Sequence, residues 1–183
     1  MRSVEGTLRP VTTSEADALH QSLTAVRAQL LASIAGVSEE HFKKRPPPPA
    51  GATGPNWCIA EVLAHLLQQE RLRASRIALA LQQDGAKITP SPDEDHYEAA
   101  RAGRGAPVPQ LVHGLLASRR EVERFLDEAS RLEGGLQRTT LHPQLGPQTI
   151  AWILEAKIID HEAEHVAQIE AIKAALEAQQ APT

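Results

Sequence analysis

Apolar residues recur along this chain at intervals of three, four and seven, and they do so in four long stretches. Leu19, Leu23, Val26, Leu30 and Ile34 mark one stripe on a first helix, about 14–35, with Thr13 or Ser14 as its cap and Gly36 near its end. Ile59, Leu63, Leu66, Leu67, Ala74 and Ile77 mark a second helix, about 56–83. A weaker second stripe there (Cys58, Val62, His65, Leu72, Leu79) predicts burial on two sides. Leu111, Leu115, Val122, Phe125, Leu126, Ala129 and Leu132 mark a third, with Pro107 and Pro109 in its first turn and Gly134-Gly135 at its end. Ile150, Leu154, Ile158, Ile169, Ile172 and Leu176 mark a fourth, about 150–178, capped by Thr149.

Between these stretches the punctuation is strong. Arg45 leads into Pro46-Pro47-Pro48-Pro49, then Gly51, Gly54 and Pro55, which predicts a stiff interhelical connection. Residues 38–42 and the neighbourhood of Glu94 to Arg101 each predict a short turn of helix. Residues 136–149 (LQRTTLHPQLGPQT) predict a structured loop, and no segment predicts a strand. The pattern therefore gives an all-α four-helix bundle, a single domain over 1–183, with a long 84–107 connection between the second and third helices. That connection suits a crossover better than a hairpin, and long loops of this kind often cover a site.

Composition narrows the class. The 183 residues carry 42% apolar and 23% charged side chains with net charge −4, as in a soluble globular protein. Without a basic face and with few aromatics, nucleic acid is not expected as a partner. The lone Cys58 leaves no internal disulfide, MRSVEGTLRP has no apolar signal region, and no run approaches a membrane span. These features make cytoplasm the expected compartment.

The candidate chemistry sits late in the fourth helix, in DHEAEHVAQI, residues 160–169. His161 and His165 are four apart, so both rings leave the same helix face. Together with Gln168 they fall in the middle of the apolar stripe, where Leu or Ile belongs. Two inward imidazoles are half a metal site, or else a pair of core histidines satisfied by hydrogen bonds. His65 lies on the second stripe of its helix, so periodicity alone does not place it beside them.

Three segments together supply more. Trp57-Cys58-Ile59-Ala60-Glu61-Val62-Leu63-Ala64-His65-Leu66, then His142-Pro143 through Leu145-Gly146 with Thr149 and Trp152, then His161-Glu162-Ala163-Glu164-His165-Val166-Ala167-Gln168-Ile169, resemble the DinB-like (YfiT-type) superfamily of bacterial four-helix-bundle proteins. The resemblance covers most of the chain. It implies a divalent metal, zinc or nickel, on three histidines, here His65, His161 and His165. It also implies thiol-dependent S-transferase chemistry of the bacillithiol or mycothiol kind, or isomerase chemistry, on a small molecule, and a homodimer. One departure is visible. The family pattern usually has Ser directly after the Trp, where this chain has Cys58, a poor cap that shifts the expected helix start to Asn56.

HEAEH also fits the H-E-x-x-H zinc-peptidase pattern, but Gln168 and Ala171 stand where the metzincin continuation needs Gly and His. Glu162, about 100° round from His161, is expected on the flank of the site. Gln168 is a candidate to orient a bound ligand. Cys58 is either a nucleophile acidified at a helix start or a small buried residue. The expected function is a metal-dependent thiol S-transferase. The alternatives are a metal-dependent hydrolase that activates water, and a non-enzymatic, metal-stabilised stress-response module.

Overall fold

The computed structural model describes residues 13–48, 56–89 and 93–179. The expected irregular lead, the side chains of Thr13 and Ser14, and most of the Pro/Gly connection lie outside the described residues. Helices α1 (Thr13–Ile34), α2 (Glu39–Lys43), α3 (Ile59–Gln82), α4 (Asp93–Gly103), α5 (Val108–Arg131), α6 (Ile150–Leu154) and α7 (Asp160–Ala178) alternate with strands β1 (Ala86–Lys87), β2 (Thr139–His142) and β3 (Gly146–Thr149). α1, α3, α5 and the α6–α7 unit form a four-helix bundle.

Every apolar residue of the α1 stripe is buried, and α3 is buried around most of its circumference because α4, α5 and α7 all pack on it. The apolar core falls into two clusters, one at each end of the bundle. Leu19, Leu23, Ile77, Val122, Leu126, Leu136 and Leu154 belong to the first, and Leu30, Leu63, Leu115, Ile169 and Leu176 to the second. This assignment fixes helix direction. The N-terminal halves of α3 and α5 lie at the same end, so these neighbours are parallel, and the 84–107 connection must return along the bundle as a crossover.

That connection carries more structure than the sequence pattern shows. α4 runs for eleven residues, where a short turn is expected. It lies so close to α3 that a Cβ on Gly103 would stand 2.2 Å from Ala64 Cβ and 2.9 Å from Ala60 O. The expectation of no strand is also overturned. β2 pairs antiparallel with β3, from Thr139 opposite Thr149 to His142 opposite Gly146, and β1 joins β2 in parallel. Four-residue strands are too short to leave a two-residue alternation in the sequence. The turn is held locally: Gly146 has φ 74°, and His142 Nδ1 accepts the N–H groups of Gln144 and Leu145, both at 3.2 Å.

Two helix starts follow from capping. Thr149 Oγ1 accepts the Trp152 N–H at 3.1 Å and begins α6, as expected. α3 begins at Ile59 with Cys58 as cap residue, so the expected shift to Asn56 does not occur. Glu61 explains this, because its carboxylate accepts the Cys58 N–H at 2.8 Å and so satisfies the donor from the third helical position. Asn56 instead donates its amide to Pro46 O.

The fourth helix is not continuous. Glu155–Ile159 forms a π-turn, in which the Asp160 N–H reaches back five residues to Glu155 O. Such turns are inserted residues that re-aim the helix face and recur at functional sites. From Ile158 within the turn onward, the buried line is Ile158, Glu162, Ile169, Ile172 and Leu176.

Candidate metal centre

The line just described moves the histidines. His161, His165 and Gln168 occupy a half-buried strip at the edge of the stripe, facing α3, and not its middle. Glu162, expected on the flank, takes the central position at 2% exposure.

The structure brings all three candidate ligands together. His65 Nε2 stands 3.3 Å from His161 Nε2, and His165 Nε2 stands 3.2 Å from the same atom. The facing ligand atoms of the three rings lie within 4.8 Å of one another. α3 supplies one ring, buried, and the first two turns of α7 supply the others. His165 Nδ1 donates to Gln168 Oε1 at 2.7 Å, which leaves the His165 Nε2 lone pair aimed at the cluster. Gln168 thus steadies a ring.

Burial first, then His165, His65 and the cations Arg73 and Lys157, push His161 down to about 3. Burial also lowers His165, against its hydrogen bond to Gln168 and the charge of Glu164. Both rings are therefore neutral at neutral pH, the form that ligates metal. Neutral rings have only one N–H each, and that of His165 is committed to Gln168. The His165 Nε2 lone pair and the His161 Nε2 face each other at 3.2 Å. Tetrahedral Zn–N bonds of ~2.0–2.1 Å would set ligand nitrogens about 3.3 Å apart, which the Nε2–Nε2 separations of His161 from His65 and from His165 match. The donor set fits a divalent cation.

Trp57 forms one wall of the site, its ring centroid 4.8 Å from that of His65 and 6.3 Å from that of His165. Tyr97 of α4, 41% exposed, reaches within 6.0 Å of Trp57, so the 84–107 connection extends to that wall.

Cys58 is fully buried, and burial, reinforced by the Glu61 carboxylate, pushes its thiol up. An acidified nucleophile is not what the structure holds; the reading as a small buried residue stands.

The pattern reading missed a polar layer behind the histidines. Arg27, Glu70, Arg119 and Glu162, one from each long helix, are all at most 5% exposed. Arg27 donates to Glu162 at 2.8 and 3.1 Å and to Glu70 at 2.9 Å. Arg119 donates to Glu70 at 2.6 Å, pairs with Glu162, and also donates to Leu23 O. Burial opposes the Arg27 charge, yet the two carboxylates hold its pKa above the usual value. The signal was present: Arg27 follows Leu23 by four, Glu70 follows Leu66, Arg119 follows Leu115, and Glu162 follows Ile158. Each is a charge at an apolar position, and two are basic and two acidic.

A four-helix bundle with a crossover and a three-histidine cluster between the second and last long helices defines a recognisable class. The chain belongs to the DinB superfamily, whose family model matches residues 22–169. Its structure is similar to that of YfiT from Bacillus subtilis, described as a probable metal-dependent hydrolase with an unusual four-helix bundle topology. The TM-score is 0.72 at 18% identity, over 97% of this chain and 94% of that one. No curated protein sequence matches this chain. Among the described residues no helix is long and apolar enough to cross a membrane.

Proposed function

We propose that His65, His161 and His165 hold one divalent ion, zinc or nickel, and that the protein is a metal-dependent enzyme that transfers a low-molecular-weight thiol onto a small-molecule electrophile. The convergence of three histidine Nε2 atoms carries this reading. When bound, such an ion keeps an open position and supplies Lewis acidity, which lowers the pKa of a thiol or water there.

The chain's own residues do the rest. Gln168 holds the His165 ring in the tautomer that presents Nε2. Trp57 packs on one side of the cluster, and Tyr97 extends that wall. The ion-paired layer of Arg27, Glu70, Arg119 and Glu162 fixes α3 and α7 relative to each other, and so the spacing of His65 from His161.

A second reading, hydrolysis, draws support from the description of YfiT as a probable metal-dependent hydrolase. The two differ in co-substrate. Zinc- or nickel-loaded protein would be assayed with an aryl halide plus a small thiol, and with an activated ester alone. Turnover of the halide that requires both thiol and metal supports transfer; metal-dependent ester cleavage without thiol supports hydrolysis. Neither activity in metal-loaded protein overturns both.

A further inference from the structure

Two arginines on α3 are unusual for their surroundings. Arg73 and Arg76 follow His65 by eight and eleven residues. Arg76 is 7% exposed, and Arg73 is half-buried. Charges withdrawn from water are ordinarily paired, as Arg27 and Arg119 are. Among the described residues no carboxylate pairs with either guanidinium, and what acts on them is burial and, for Arg73, the neighbouring cation Arg76.

Their donors point to a site. Arg73 Nη2 donates to Gln69 Oε1 at 3.0 Å, so the side chain folds back one turn toward the helix N-terminus, the direction helical side chains favour. Gln69 is itself one turn from His65 and 3% exposed. Arg73 Nε and Gln69 Nε2 are both buried N–H donors without a hydrogen-bond acceptor. Leaving such donors unmet costs about 1–3 kcal/mol each. Lys157, in the π-turn, is a further cation that, like Arg73, acts on His161.

We propose that Arg73 and Gln69, with Arg76 behind them, receive an oxyanion group, a carboxylate or a phosphate, of the small molecule that reacts at the three-histidine centre. The inference rests on that reading of the centre and adds the substrate class: an acid whose anionic end lies along α3 from its reacting end. Arg73 presents a planar fork suited to bidentate recognition, and Gln69 Nε2 supplies a further donor.

The test is titration of inorganic phosphate and of acetate into the metal-loaded protein, followed by the Arg73 Nε–Hε resonance and by calorimetry. Wild type, Arg73→Met, Arg76→Met and His161→Ala are compared, with circular dichroism confirming that each is folded. The expected result is saturable binding that shifts the Arg73 resonance, weakens at least tenfold in Arg73→Met and persists in His161→Ala. Preference for acetate or for phosphate then assigns the substrate as a carboxylic acid or a phosphoester. An unmoved Arg73 resonance in wild type, readable even if both arginine variants misfold, overturns the proposal. So does equal binding in Arg73→Met. Anion binding by a wild-type protein that takes up no metal would instead defeat the metal reading and leave the anion site standing.

Discussion

Arg27 and Glu162, 135 residues apart in the chain, meet at 2.8 Å in the middle of the bundle, in the layer that separates its two apolar clusters. Four buried charges, two of each sign, tie the four long helices together at one level, and His161 is the chain neighbour of one of them.

Breaking one member of that layer leaves an uncompensated buried charge. Glu162→Leu or Arg27→Met is expected to destabilise the fold by about 3–5 kcal/mol, measured by urea unfolding. Replacing all four charges together by Leu and Met is expected to cost far less than the sum, because no charge remains unpaired. A single variant within ~1 kcal/mol of wild type would show that the layer does not hold the helices.

Gly103 is required by distance. Gly103→Ala puts a methyl against Ala64 Cβ and Ala60 O, and the expected loss is about 1–3 kcal/mol, read as a lowered Tm. Ala64→Gly in the same chain is expected to recover part of it. No loss would mean that α4 shifts freely over α3.

Glu61 gives an acid-sensitive contribution. Burial raises its pKa, but Arg45 and the Cys58 N–H outweigh burial and hold it below the ordinary value of 4.5. Above 4.5 the carboxylate is ionised in both states and the folded one alone has these partners. As pH falls, the unfolded chain takes up the proton first, and the advantage fades through the folded pKa. The stability gap between wild type and Glu61→Gln is therefore expected to be wide at pH 7 and to close toward pH 3. A gap independent of pH would contradict this.

Much of this was legible in the pattern. The stripe on α1 is buried residue for residue, the crossover follows from the length of 84–107, and the cap at Thr149 is as read. The place of His65 was not legible from periodicity, because a helix buried on several sides gives no single face; the resemblance pointed to it. The π-turn was hidden because an inserted residue shifts the face without altering composition, so His161 and His165 seemed central when Glu162 is. Strands of four residues leave no periodic trace, and Trp57 was read only as a motif letter.

Cys58 and Gln168 separate packing from positioning. Cys58→Ser is expected to leave turnover unchanged, since the buried thiol stays protonated. Gln168→Leu removes the partner of His165 Nδ1, and the expected consequence is a metal affinity weaker by about 10–100-fold with the fold intact. Equal metal affinity in Gln168→Leu would mean that the helix alone orients the ring.

The most direct measurement is metal per chain in untagged protein, by elemental analysis after incubation with zinc or nickel and desalting. The account predicts about one ion per chain in wild type and loss of it in His161→Ala, a single-ligand change in a three-ligand site. Wild type that takes up no ion, or His161→Ala that holds as much as wild type, would contradict it.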